Sequence, residues 1–225
     1  MSILYIVGTP IGNLEDITLR ALRVLREAYV ILCEDTRVTK RLLEKYEIKD
    51  KQLLAYNEQK SGASAEYVIK LLQDGKNIAL VTDAGTPGIS DPCSMLVQKV
   101  REVLLDVKIE SKPGPSALTA ALSVAGVSAD SFLFLGFLPH KKGRETLFKE
   151  IAEEKRTVVF YESPHRILKA LESLLKHAPK KQITICRELT KIHEEVVRGT
   201  VLEVLEYFRN NPEKVRGEFV VIVSV

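Results

Sequence analysis

Long apolar runs are missing from this sequence. The opening "MSILYIVGTP" carries only five apolar residues in a row before a glycine, with no basic segment ahead of them, and no later run approaches the roughly 20 residues of a membrane span. A soluble, cytoplasmic protein with no membrane partner is expected. Cysteine is scarce: Cys33, Cys93 and Cys186 are odd in number and share no CxxC or His-rich spacing, so neither a disulfide framework nor a metal site is indicated. Charge of one sign is lacking too. A net +3 over 225 residues names no partner by itself, so basic clusters have to be sought locally. There is no GxGxxG and no GK[ST], which removes weight from dinucleotide and P-loop readings. Repeats and low-complexity segments are absent.

What is present is a core-forming composition, 45% hydrophobic, in which apolar β-rich runs alternate with amphipathic helical stretches from end to end. That pattern predicts an α/β chain. Strands are expected at Ile3–Val7, Val30–Cys33, Leu53–Tyr56, Ile78–Val81 and Val107–Glu110. In "KPGPSALTAALSVAGV", Pro113, Gly114 and Pro115 interrupt the chain and Ser116 can cap a helix running through Ala125. A domain boundary is placed there, giving residues 1–116 and 117–225. The second half resumes with the strand-like runs "SFLFLGFLP", "TVVFYESP", "QITICREL", "EEVVRG" and "EFVVIVSV", with helices at about Arg144–Glu154, His165–His177 and Val201–Asn210. Two α/β halves would leave a ligand cleft between them.

Three strand-to-helix loops stand out in the first half. "LVTDAGTPGISDP" follows an apolar run at once with Gly85, Pro87 and Gly88, then offers Ser90 or Asp91 as an N-cap and Pro92 at the first helical position. "VGTPIGNLEDIT" repeats the idea with Gly8 and Gly12 and a cap at Asp16 or Thr18, and Gly114-Pro115-Ser116-Ala117 supplies a third case. Such loops turn free backbone N–H groups and a helix dipole toward a ligand. If the strands run parallel, all three gather at the carboxyl edge of one sheet.

Taken in order, "VGTPIGNLEDIT", "CEDTR", "DAGTPGISDP", "PGPSAL", "GFLP", "FYESPHR" and "RELTK" give the chain a resemblance to the tetrapyrrole-methylase-like (class III) S-adenosylmethionine-dependent methyltransferases. Thr86 stands where many relatives carry Asp, a departure that fits the RNA branch of the family. The resemblance implies a two-domain homodimer that binds S-adenosylmethionine in the cleft between its domains. It also implies an acceptor, the ribose 2′-hydroxyl of a cytidine in 16S rRNA or the small ribosomal subunit. The first domain would carry cofactor loops and part of the RNA site, and the second would complete both. Matched position by position, the cofactor would meet Pro10, Ile11, Asp83, Gly85, Thr86, Ile89, Ser116 and Ala117, with Leu138 and Tyr161 from the second half. For Ile11, Ile89 and Leu138 the competing reading is core packing.

Charged groups cluster just past apolar runs. Glu34, Asp35 and Arg37 follow one strand, and Glu188 and Lys191 stand in "RELTKIHEEVVRG" past another. A ribose hydroxyl is a weak nucleophile at neutral pH and gains from a neighbour that accepts or orients its proton, so Glu34, Asp35, Glu188 and Lys191 are the catalytic candidates. Lys191 could serve as a base only if its pKa were lowered. Arg37, Lys141, Lys142, Arg144, His165 and Arg166 are the candidates for RNA contact. The alternatives are a small-molecule methyltransferase of the same fold and a noncatalytic RNA-binding module.

Overall fold

The computed structural model describes residues 2–56, 61–91 and 93–224, and leaves aside the side chains of residues 61–64. The chain folds as two compact units, Met1–Ser116 and Ala117–Val225. The expectation for Pro92 lies outside the described residues.

In the first unit five strands, β1 (Ile3–Val7), β2 (Val30–Cys33), β3 (Gln52–Ala55), β4 (Ile78–Leu80) and β5 (Lys108–Lys112), form one sheet in the order β3-β2-β4-β1-β5. Every pairing in it is parallel. The central strands read as unbroken apolar runs because parallel sheets are covered on both faces: all four residues of β2 and all three of β4 are buried. Helices α1 (Leu19–Glu27) and α2 (Thr36–Lys45) cover one face, placing Leu22, Leu25, Leu42 and Leu43 against Tyr5, Ile31 and Ala79. On the other face α3 (Ser61–Gln73) and α4 (Cys93–Val103) pack Val68, Leu72, Leu96 and Val100 against Leu4, Leu32 and Leu80.

Caps set the helix starts. Thr18 accepts from the Ala21 N–H at 3.1 Å and begins α1, so the cap is Thr18, while Asp16 ends a short 3-10 turn. β4 stops one residue short of the predicted Val81, although the Val81 N–H still reaches the Leu32 carbonyl at 2.9 Å. β5 is shifted toward Lys112, whose carbonyl accepts from the Gly8 N–H at 3.0 Å.

The second unit begins with α5 (Ala117–Ala125) and builds a second sheet from β6 (Phe132–Phe137), β7 (Thr157–Glu162), β8 (Gln182–Arg187), β9 (Glu195–Thr200) and β10 (Phe219–Ser224), ordered β6-β7-β10-β8-β9. Only β6 and β7 run parallel; the other neighbours are antiparallel. Helices α6 (Arg144–Glu153), α7 (Ile167–His177) and α8 (Val201–Asn210) bury Phe148, Leu171, Leu174, Leu205 and Phe208 against Phe160, Ile185 and Val221. α8 starts on a capping box between Thr200 and Glu203. All three cysteines are buried and free. Among the described residues no helix is long and apolar enough to cross a membrane.

Candidate functional site

The three glycine-bearing loops meet where β1, β4 and β5 end, at the carboxyl edge of the parallel sheet. Thr9 and Gly85 exchange backbone hydrogen bonds at 2.9 and 3.1 Å, tying the first loop to the second. The Thr9 side chain is 2% exposed and its hydroxyl donates to the Thr82 carbonyl at 3.0 Å. Gly8 ties the first loop to the third: a Cβ on Gly8 would lie 2.8 Å from the Gly114 nitrogen, and one on Gly114 would lie 2.9 Å from the Gly8 carbonyl oxygen. No side chain fits between those backbones, so both positions require glycine.

Gly85 and Gly88 both have positive φ, 84° and 89°, and Ser90 adopts 64°, a left-handed value unusual for a residue with a side chain. The Gly88 N–H donates to the Asp91 carboxylate at 2.8 Å, and the Cys93 N–H donates to the same group at 2.8 Å. Asp91, not Ser90, therefore satisfies the start of α4. Pro10 and Ile11 are buried, with Ile11 directly beside Gly85, whereas Ile89 is 47% exposed and does not belong to the core. The Thr86 hydroxyl donates to the Pro115 carbonyl at 3.4 Å, and Ser116 follows at the end of the third loop.

Three carboxylates stand at the ends of β2 and β4. Glu34 accepts from the Thr82 hydroxyl and, at 3.2 Å, from the Asp83 N–H; Asp83 accepts from the Asp35 N–H at 2.9 Å. Burial pushes the Asp83 carboxyl above the ordinary carboxylate range, and the nearby charges of Glu34 and Asp35 push the same way. Asp35 goes the other way, to about 2, because the Arg37 side chain and backbone donate to it. It also caps α2, so its role in that helix is structural as well. Two adjacent carboxylates with pKa values driven apart differ in how readily each takes up a proton.

In the second unit the Leu138 side chain is 2% exposed and packs in the core, while its carbonyl accepts from Arg166 at 2.9 Å. Tyr161 is half-buried and meets the rings of Phe134 and Phe137 edge-on at 5.0 and 5.4 Å. Arg144 and Arg166 both converge on Glu162, at 3.0 and 2.8 Å, and the Glu162 side chain is 0% exposed. Lys141, Lys142 and His165 remain exposed. Further along, Lys191 bridges Glu188 at 2.8 Å and Glu218 at 2.7 Å. Burial pulls the Lys191 pKa down, but those hydrogen bonds outweigh it and the net shift is upward. Glu188 is net lowered, its burial outweighed by Lys191 and the Glu218 N–H. Glu188 and Thr190 hold left-handed φ values of 52° and 65°.

Within the first unit the fold thus brings Pro10, Ile11, Asp83, Gly85, Thr86, Glu34 and Asp35 to one sheet edge, while Ile89 stands at its exposed margin. Within the second it gathers Arg144 and Arg166 on one carboxylate and Glu188 with Lys191. Ala117 opens α5. Sequence reasoning missed Thr9, Thr82 and the steric role of Gly8 against Gly114. The only available signal was a polar or glycine residue directly after an apolar strand.

The N–H groups of Gly8, Thr9, Gly85 and Gly88 all donate within the chain, so they are not the free donors the loops were expected to present. A cationic sulfonium cofactor suits what remains, since the sheet edge offers carboxylates beside the apolar Ile11. Residues 3–205 match the family described as Tetrapyrrole (Corrin/Porphyrin) Methylases. A protein of Thermotoga maritima named "Ribosomal RNA small subunit methyltransferase I" is 47% identical over 225 residues, covering 100% of this chain and 99% of that one. Its Bacillus subtilis namesake is 40% identical over 225 residues, covering 100% of this chain and 75% of that one. Among solved structures, cobalt precorrin-4 methyltransferase, a cobalamin biosynthetic enzyme, matches with a TM-score of 0.72 at 20% identity over 99% of this chain and 94% of that one. Uroporphyrin-III C-methyltransferase from Thermus thermophilus, complexed with S-adenosyl homocysteine, matches with a TM-score of 0.66 at 19% identity, covering 98% of this chain and 96% of that one. At those identities the likeness is one of fold.

Proposed function

This chain belongs to the tetrapyrrole methylase family and is a methyltransferase; from that premise we propose that it transfers the methyl group of S-adenosylmethionine to the ribose 2′-hydroxyl of a cytidine in 16S rRNA. The observation that carries the reading is full-length similarity to proteins named for the small-subunit rRNA, joined to a carboxylate-bearing loop cluster of the right chemistry.

When bound, S-adenosylmethionine supplies a methyl group already activated on a positively charged sulfur. The chain's own task is then to hold both reactants in line. In this reading Pro10, Ile11, Gly85, Thr86, Ile89, Ser116 and Ala117 hold the cofactor through backbone and apolar contact, and Asp83 offers it negative charge. Leu138 contributes by backbone, since its side chain is committed to the core, and Tyr161 contributes its half-buried ring. Glu34 and Asp35 are the groups that face the hydroxyl proton, Glu34 to accept or orient it and Asp35 to orient or position only, because Arg37 holds Asp35 ionised. Lys191 acts as a cation that orients, not as a base, because its two carboxylate partners favour the charged form. Lys141, Lys142, His165 and Arg37 hold RNA phosphates, while Arg144 and Arg166 brace their loop from Glu162.

The test is single-turnover methylation of small subunits and of naked 16S rRNA with labelled cofactor, followed by nucleoside mass spectrometry. The expected product is 2′-O-methylcytidine, with slower transfer in Glu34→Gln, Asp35→Asn, Glu188→Gln or Lys191→Met. A methyl on a base, or wild-type rates in all four variants, overturns this chemistry.

A further inference from the structure

Charge is distributed unequally over the two helical layers of the first unit. On one face, α1 carries Arg20, Arg23 and Arg26 against Glu27, and α2 carries Arg37, Lys40, Arg41 and Lys45 against Glu44, a net +5 where the whole chain has +3. On the opposite face α3 and α4 together carry Lys70, Lys99 and Arg101 against Glu66 and Glu102, a net of only +1. Both helices of the basic pair bury their leucines in the same apolar cluster, so their outward sides look the same way. Arg26 donates to the Tyr46 carbonyl at 3.2 Å and the Tyr46 hydroxyl donates to the Leu14 carbonyl at 2.6 Å, which fastens the end of α2 to α1 and the turn before it.

The charge on this surface is largely uncommitted. Arg37 is paired with Asp35 at 2.5 Å and Lys40 with Glu44 at 3.8 Å, but Arg20, Arg23, Arg41 and Lys45 are exposed and form no ion pair among the described residues. Glu15 and Asp16 precede α1, Glu34 and Asp35 stand between the two helices and Glu47 and Asp50 follow α2, so within the helices themselves Glu27 and Glu44 are the acidic residues. A like-charged surface of this kind repels itself and is relieved by a polyanion. α2 also starts directly from the candidate site, since Asp35 is its cap.

We infer that the outward face of α1 and α2 is a docking surface for the phosphodiester backbone of RNA, holding a stretch of the substrate next to the sheet edge that carries the transfer. This rests on the RNA acceptor proposed above. The contact is with phosphates, so it fixes position and carries no base specificity. It adds a second basic surface to the Lys141–Lys142 loop, on a different part of the chain.

The experiment compares wild type, the quadruple variant Arg20→Gln, Arg23→Gln, Arg41→Gln, Lys45→Gln, and the opposite-face control Lys70→Gln, Arg101→Gln. All the changed side chains are exposed, so the fold should be undisturbed. Binding to small subunits and to 16S rRNA is measured across salt concentrations, with S-adenosylmethionine affinity and subunit methylation alongside. At roughly 0.7 to 0.9 per lost contact, the log–log salt slope of the quadruple variant should flatten by about 3, with cofactor affinity unchanged and the control like wild type. An unchanged slope in the quadruple variant, or an equal loss in the control, means this face is only solvated and overturns the docking surface. If wild type methylates subunits while the quadruple variant matches it, the docking surface alone falls; if wild type transfers nothing to RNA, the acceptor reading falls and takes this inference with it.

Discussion

Thr9 and Gly85, 76 residues apart in the chain, exchange both backbone hydrogen bonds and so lock the first glycine loop onto the second. Gly85 reaches this pairing at a φ of 84°, where an L side chain is strained, and a Cβ there would lie 3.5 Å from Ile11. For valine the left-handed conformation costs on the order of 1–3 kcal/mol. Gly85→Val should therefore stay folded yet lose cofactor affinity by roughly tenfold or more. Titration calorimetry beside a circular dichroism melt reads both, and wild-type affinity in a wild-type fold would sink the assignment.

Gly114 meets a harder limit, because its Cβ would lie 2.9 Å from a backbone oxygen that cannot rotate away. Forcing β1 and β5 apart at this point should lower stability by about 1–3 kcal/mol in Gly114→Ala. Denaturant unfolding measures it. Gly88→Ala has nothing within 4 Å of the added methyl and is strained only by its φ, so it should be the milder of the two.

Asp83 gives the site a pH dependence. Its pKa is raised by burial, so in the free protein its contribution to stability is fully present below the ordinary carboxylate value of about 4 and is lost as pH rises through the raised value. Asp83→Asn should accordingly be no less stable than wild type at neutral pH. Attraction for a cationic ligand has the opposite dependence, because it needs the ionised form. Cofactor affinity should weaken as pH falls through the raised pKa, by up to about tenfold per unit. The Asn variant should bind weakly at every pH with that limb gone; an unchanged pH profile would remove Asp83 from the site.

Glu162 is a buried carboxylate shared by two arginines whose side chains are only 12% and 16% exposed. Removing its charge leaves two partly buried guanidinium groups uncompensated, and breaking a buried pair this way costs about 3–5 kcal/mol. Glu162→Gln should lose stability of that order and loosen the loop that carries Lys141 and Lys142. Urea unfolding gives the first quantity and amide exchange across residues 138–144 the second; a wild-type midpoint would mean the arginines find other partners.

Much of the architecture was legible in the sequence because its signals are local. β1 and β2 lie where apolar runs bounded by turn residues put them, and α8 begins at its predicted residue because Thr200 and Glu203 form a capping box within one turn. The glycines and prolines of the three loops likewise marked where the chain turns tightly, although the N–H groups of Gly8, Gly85 and Gly88 are used within the protein. Other features depend on which strand lies beside which. That Gly8 and Gly114 must both be glycine follows from β1 lying next to β5, across more than 100 residues of chain, and no local pattern encodes that neighbour. The antiparallel pairing of β10 with β7 and β8 was equally invisible, since a strand that is almost wholly buried is apolar in either direction. Residue types identified Glu34, Asp35, Asp83 and Lys191 as ionisable; only the tertiary structure decided that Asp83 is raised, Asp35 lowered and Lys191 held as a cation. The reason is that a pKa is set by burial and by charges within a few ångströms, and those distances exist only once the chain has folded.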